Sequence, residues 1–168
     1  MALPVSPSAS NQPRSFVTAV LWAGFLVGTL DASGATIQYL LSGGDNPAKI
    51  FRYIASGAFG KDAAAANPSS MAYWGLLFHY IIAYAFTLTY FLLAPRIKWM
   101  MQHRVAAGIL YGAFIWAVMN LVVVPSSRIT RGAFHLKPVL IGMGILIVAI
   151  GLPLAFIASA YYSRNLNR

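Results

Sequence analysis

Asp31 and His79 are ionisable side chains set inside otherwise apolar stretches of this sequence. An ionised carboxylate in a membrane interior costs at least about 2.5–3.5 kcal/mol on insertion scales, so it belongs on a face turned toward other helices. Asp31 meets that requirement, because Gly24, Gly28 and Ala35 lie on the same helical face. His79 shares a stripe with Gly75, Ala83 and Phe86, again a face with small residues. Imidazole titrates near neutrality, and a neighbouring carboxylate favours its charged form. The pair therefore has the makings of a proton-responsive site. Asn120, Tyr84, Tyr80, Thr87 and Thr89 add polar groups on the apolar segments around it. The alternative is structural: a buried hydrogen-bonded pair that sets helix register, or an Asp31 that contacts backbone across the bundle.

Other chemistries lack their residues. There is no Cys, which excludes disulfides, thiolate metal sites and thiol redox reactions. His79 is the only histidine inside an apolar span, so a b-type haem pair on facing spans has no ligands. No span holds a Lys for a retinal Schiff base, and the stretch from Gly108 to Gly112 is not a dinucleotide fingerprint. No Walker loop, metal-ligand cluster or nucleophile elbow occurs. The expectation is a protein that is not an enzyme and carries neither cofactor nor metal.

Composition says what must position these residues. Of the 168 residues 59% are hydrophobic and 9% charged, where soluble domains carry about 25% charged residues. Mean hydropathy is +0.68. Twelve Lys and Arg against three Asp give a net charge of +9. These bases sit at the ends of apolar segments rather than along one face, which fits anionic lipid headgroups and not nucleic acid.

A hydrocarbon core of about 30 Å takes roughly 20 helical residues, and the sequence predicts four such spans, over 16–41, 71–94, 105–124 and 139–162. The fold class is thus all-α, an integral membrane four-helix bundle occupying 16–168 as one domain. Residues 1–15, rich in Pro and Ser, read as a disordered tail. Arg14, the following apolar run and Ala32-Ser33-Gly34-Ala35 also fit a cleaved signal peptide, but apolar character resumes at Ile37, which favours a retained helix. Pro125 is expected to close the third span, and Pro153 to kink the fourth.

Between the first two spans, Asn46 and Pro47 open a short amphipathic helix over about 47–60. Ile50, Phe51, Ile54 and Ala58 form its apolar face, and Lys49, Arg52 and Ser56 its polar one. It is expected to lie in the membrane interface, with an extramembrane helix packed on the bundle as the alternative. Residues 61–70 read as loop. Asp31 and His79 then fall about ten and eight residues from the same ends of consecutive antiparallel spans, roughly 12–15 Å deep at about 1.5 Å per residue. Asn120 lies shallower.

Lipid tails are as apolar as leucine, so the spans must meet through small residues and polar contacts. Gly24 and Gly28 form one GxxxG pair, Gly108 and Gly112 another, and Gly144 and Gly151 stand a heptad apart. Sidedness is not given by charge. Arg14, Arg96, Lys98, Arg104, Arg164 and Arg168 on the terminal side equal in number Lys49, Arg52, Lys61, Arg128, Arg131 and Lys137 on the other. The short, dense connector 95–104 favours cytoplasmic termini.

The stretches Gly-Thr-Leu-Asp at 28–31, Ile-Ala-Ser-Gly at 54–57, GLLFHYIIAYAFTLTYFLLAPRIK at 75–98, Met119-Asn120…Pro125 and Gly-Leu-Pro-Leu at 151–154 are spread along the chain. In this order the pattern resembles a group of uncharacterised bacterial inner-membrane proteins, loosely YagU-like. The resemblance implies a four-helix protein of the bacterial inner membrane, and YagU-like relatives are associated with acid tolerance.

Two functions follow as expectations. One is proton-linked or small-solute transport or sensing through the Asp31/His79 site, in a homo-oligomer. The other is a structural or accessory subunit of a larger membrane complex, docked through its GxxxG faces with Asp31 as polar glue.

Overall fold

A computed structural model of the chain describes residues 15–129 and 136–166. The expected tail lies outside the described residues except for Ser15, as does most of the basic loop after the third span. Every regular element among the described residues is helical. Four helical segments are long and apolar enough to cross a membrane: Phe16–Leu41, Pro68–Leu93, Arg104–Ser126 and Leu136–Arg164. The protein is an all-α membrane protein.

The first span is one helix, α1 (Phe16–Leu41), unbroken through the small residues at 32–35. Ser15 starts it, its Oγ accepting the Thr18 N–H at 3.1 Å. Next come α2 (Ala48–Phe59) and α3 (Lys61–Ala66), then the second span, α4 (Pro68–Leu93). Asn46 Oδ1 accepts the Ala48 N–H at 2.9 Å at the start of α2. The stretch 61–70 expected as loop is instead helical at Lys61–Ala66, and Pro68–Ser70 form the first turn of α4. Runs of Ala make α3 a helix, and Pro68 suits a first helical turn, where its missing N–H is not needed.

A short helix, α5 (Lys98–Gln102), leads into the third span, built from α6 (Arg104–Val118), a π-helical turn (Met119–Val123) and α7 (Val124–Ser126). The fourth span is α8 (Leu136–Leu146), a second π-helical turn (Ile147–Gly151) and α9 (Leu152–Leu166). Each π turn ends two residues before a proline, Pro125 or Pro153. Proline removes one backbone donor and crowds the carbonyl one turn back. A π turn, with its wider i→i+5 ring, accommodates both effects without ending the helix. This is why the third span runs on through Pro125, where an end was expected.

The glycine faces seat the helices. A Cβ on Gly28 would stand 2.9 Å from Tyr80 Cε1, and one on Gly24 would overlap the Tyr84 ring, so α4 aromatics lie directly on α1. Gly108 and Gly112 pack on the second π turn, where a Cβ on Gly112 would come within 2.5 Å of Ile147 Cα and one on Gly151 would overlap the Gly108 carbonyl. Gly144 differs from expectation: nothing lies within 4 Å of where its Cβ would be. The π turn between Gly144 and Gly151 holds more residues per turn than an α-helix, so positions seven apart no longer share a face.

The helix α2 lies across α4, with the Phe51 carbonyl in the space a Cβ on Gly75 would take. Its faces differ from the sequence pattern, since Ser56 is buried and Ala58 exposed. The reason is α3. Gly60, at φ 91° and ψ 163°, a region essentially reserved for glycine, turns the chain so that α3 packs back on the polar face. The end of α2 is also tied to the third span, as Arg128 donates its N–H to the Gly57 carbonyl at 2.9 Å.

Burial is uneven along the bundle. Toward α5 the spans share a continuous core that includes Val27, Tyr90, Phe91, Tyr111, Ile115 and Leu154. Toward α2, none of the described residues of α8, α7 or the first π turn is buried. Leucine, isoleucine and phenylalanine line the outer surface, Leu21, Phe25, Leu77, Ile81, Leu110 and Leu140 among them, as lipid-facing positions require.

Candidate functional site

The site lies where the sealed half of the bundle meets the looser one. Gly28 is the last buried residue of α1, and Asp31 follows it by one turn. On α4, His79 stands between the buried Gly75 and Ala83. Both side chains are half-buried.

His79 Nε2 lies 2.9 Å from the Gly28 carbonyl oxygen. A carbonyl only accepts, so Nε2 carries a proton and donates. That selects the tautomer whose Nδ1 is free to take a proton. Two neighbouring rings fix the imidazole, Phe51 from α2 at 6.2 Å between centroids and Tyr80 at 5.5 Å, both edge-on. The approach of the α2 backbone over Gly75 is therefore also what brings Phe51 onto His79.

No hydrogen bond or ion pair joins Asp31 and His79. Among the described residues Asp31 makes neither; the ion pair found there is Lys49–Asp45. The expected direct contact is thus replaced by an arrangement one helical turn long, in which His79 is anchored below the carboxylate at Gly28. Ile145 of α8 closes in beside it, 2.8 Å from where a Cβ on Gly34 would stand.

Further polar contacts lace α1 to α4. Thr29 Oγ1 and Tyr80 Oη are 2.9 Å apart, and Tyr84 Oη donates to the Leu21 carbonyl at 3.2 Å. Tyr84 therefore serves the helix contact on the α5 side of Gly24 and is not gathered around Asp31. Asn120 sits in the π turn of the third span, its Nδ2 donating to the Trp116 carbonyl at 2.9 Å.

Below the site the bundle is closed by tyrosines that sequence reasoning did not single out. Tyr111 Oη donates to the Phe86 carbonyl at 2.6 Å, and its ring meets Tyr90 edge-on at 4.8 Å. Tyr162 Oη donates to the Phe91 carbonyl at 2.6 Å. The latter has a readable cause: Pro95, four residues on, has no N–H to offer that carbonyl. The orphaned acceptor was predictable, but not the donor, which comes from a distant span.

Residues of α2 expected at the membrane surface divide between two tasks. Phe51 serves His79, and Ile50 and Ile54 are half-buried. Lys49 is exposed and paired with Asp45, while Arg52 is half-buried and faces a cleft between α2 and α3. No protein-family model, curated protein or solved structure gives a match to this chain.

Proposed function

We propose that the chain takes up and releases a proton at Asp31 and His79, coupling this to movement or sensing of a small solute across a bacterial inner membrane. The observation that carries the reading is Asp31 itself: a half-buried carboxylate inside a span, without a hydrogen bond or ion pair among the described residues. A carboxylate retained only as glue would be expected to have a partner, because an unsatisfied charge in such a place is costly. The free Nδ1 of His79 supplies a second proton acceptor. The resemblance to YagU-like proteins, with their association with acid tolerance, points the same way. Assembly as a homo-oligomer, with both termini cytoplasmic, completes the proposal.

The accessory-subunit reading loses its proposed docking faces, because Gly24, Gly28, Gly108, Gly112 and Gly151 are all packed within the chain. The test is proton flux into liposomes holding the purified protein and a pH-sensitive dye. Asp31→Asn and His79→Gln should each abolish pH-dependent flux while leaving the thermal unfolding midpoint near that of the parent. Unchanged flux in both variants, or no flux from the parent in any gradient, sinks the proposal.

A further inference from the structure

The cleft between α2 and α3 is a shallow, open depression of about 280 Å³, and its lining includes Lys49, Arg52, Lys61, Tyr53 and Ser56. Three cations converge on it. Lys49 is largely answered by Asp45, with Nζ 2.6 Å from both carboxylate oxygens. Arg52 and Lys61 have no hydrogen bond or ion pair among the described residues. Arg52 is half-buried, and its planar fork of donors is suited to bidentate oxyanions. The Ser56 hydroxyl donates to the Tyr53 carbonyl at 2.7 Å.

The backbone is built to hold this shape. Gly60, in its glycine-only conformation, folds α3 onto α2 and so brings Lys61 back toward Arg52. The level of the cleft is marked by aromatics. Phe59, at the end of α2, meets Trp74 at 5.9 Å and Phe78 at 5.8 Å, and Trp74 and Tyr73 are exposed. Exposed Trp and Tyr at the end of a span are the signature of the headgroup layer.

We infer that Arg52 and Lys61 form a binding site for a phosphate group, and that its position at the headgroup level favours an anionic phospholipid as the source. The site is separate from Asp31 and His79 and stands whether or not those residues move protons.

The test uses the full chain purified in a neutral detergent, its unfolding midpoint followed by Trp fluorescence at fixed ionic strength. Short-chain phosphatidylglycerol, short-chain phosphatidylcholine and inorganic phosphate are titrated separately. A ligand that binds only the folded state raises the midpoint. Phosphatidylglycerol should do so and phosphatidylcholine should not. Arg52→Gln and Lys61→Gln should each weaken the apparent affinity about fivefold, the factor that corresponds to about 1 kcal/mol per juxtamembrane base. The pair Lys98→Gln and Arg104→Gln, on the opposite side of the bundle, should leave it unchanged. Lys61 is exposed, so Lys61→Gln carries the test if Arg52→Gln does not fold. Stabilisation by inorganic phosphate but not by phosphatidylglycerol, lost in Lys61→Gln, would uphold the phosphate site and overturn the lipid as its source. No response to either ligand, or equal losses in the Lys98/Arg104 variant, would overturn the site.

Discussion

His79 and Gly75 illustrate how single residues organise this protein. A glycine on the His79 stripe was visible in the sequence as a small-residue face. That the space belongs to the Phe51 carbonyl of α2 was not, because nothing in a helical period says which backbone will cross it. The consequence is a sharp contrast between glycines. Gly75→Ala should destabilise the fold by about 1–3 kcal/mol, since the obstructing atoms are backbone and cannot rotate away. It should also loosen α2, visible as faster amide exchange over Ala48–Phe59. Gly144→Ala, placed where nothing lies within 4 Å, should be neutral or stabilise by about 0.4–1 kcal/mol through the unfolded state. Equal midpoints for the two variants would contradict the packing described. Asp31 and His79 were legible as candidates from polarity alone; their separation, with His79 held at Gly28 rather than at the carboxylate, depends on side-chain geometry that spacing does not contain.

At the scale of elements, prolines and caps dominate. Pro95 leaves the Phe91 carbonyl without its helical donor, and Tyr162 supplies one. Tyr162→Phe should therefore cost about 1 kcal/mol, and less in a Pro95→Ala background, where residue 95 regains an N–H. A double-mutant cycle on thermal or denaturant stability reads this coupling, and strict additivity would argue against it. The start of α2 is expected to depend on pH. The hydrogen bond from Lys49 holds the Asp45 carboxyl down to about 2, aided by one from Tyr39, whose Oη lies 3.1 Å away. The same bond raises the Lys49 ammonium. A depressed carboxylate stabilises fully above its ordinary range, near 4, and loses that contribution as pH falls through about 2. The raised ammonium contributes below its ordinary range, near 10.4, and loses its contribution as pH rises through the folded value. Amide exchange in the first turn of α2, corrected for intrinsic rate, should quicken below about pH 4 in the parent. In Asp45→Asn that pH dependence should vanish. Helix boundaries in the spans were readable to within a few residues, because apolar length and flanking Pro mark them. The π turns were not, since proline predicts trouble for a helix without saying whether it kinks, ends or widens.

The whole molecule is a bundle sealed toward α5 and loose toward α2, with its apolar surface turned outward. The absence of cysteine makes sidedness easy to measure. With four spans, Lys61→Cys and Lys98→Cys must lie on opposite faces of the membrane. In intact cells a membrane-impermeant thiol reagent should label one and spare the other. Labelling of both, or of neither after permeabilisation, would refute the four-span arrangement. With cytoplasmic termini the labelled position is 61.

The number of spans, their approximate ends, the amphipathic helix and the presence of ionisable residues inside the spans were determined by the sequence itself. Each follows from local quantities: apolar run length against bilayer thickness, and the cost of an ionised group in lipid. The tertiary structure alone decided that α3 folds onto the polar face of α2, and that Gly144 is unpacked while Gly75 is filled. It also decided that Asp31 has no hydrogen bond or ion pair among the described residues. These depend on which distant segment arrives at a given face, and no period or propensity along one helix encodes that arrival.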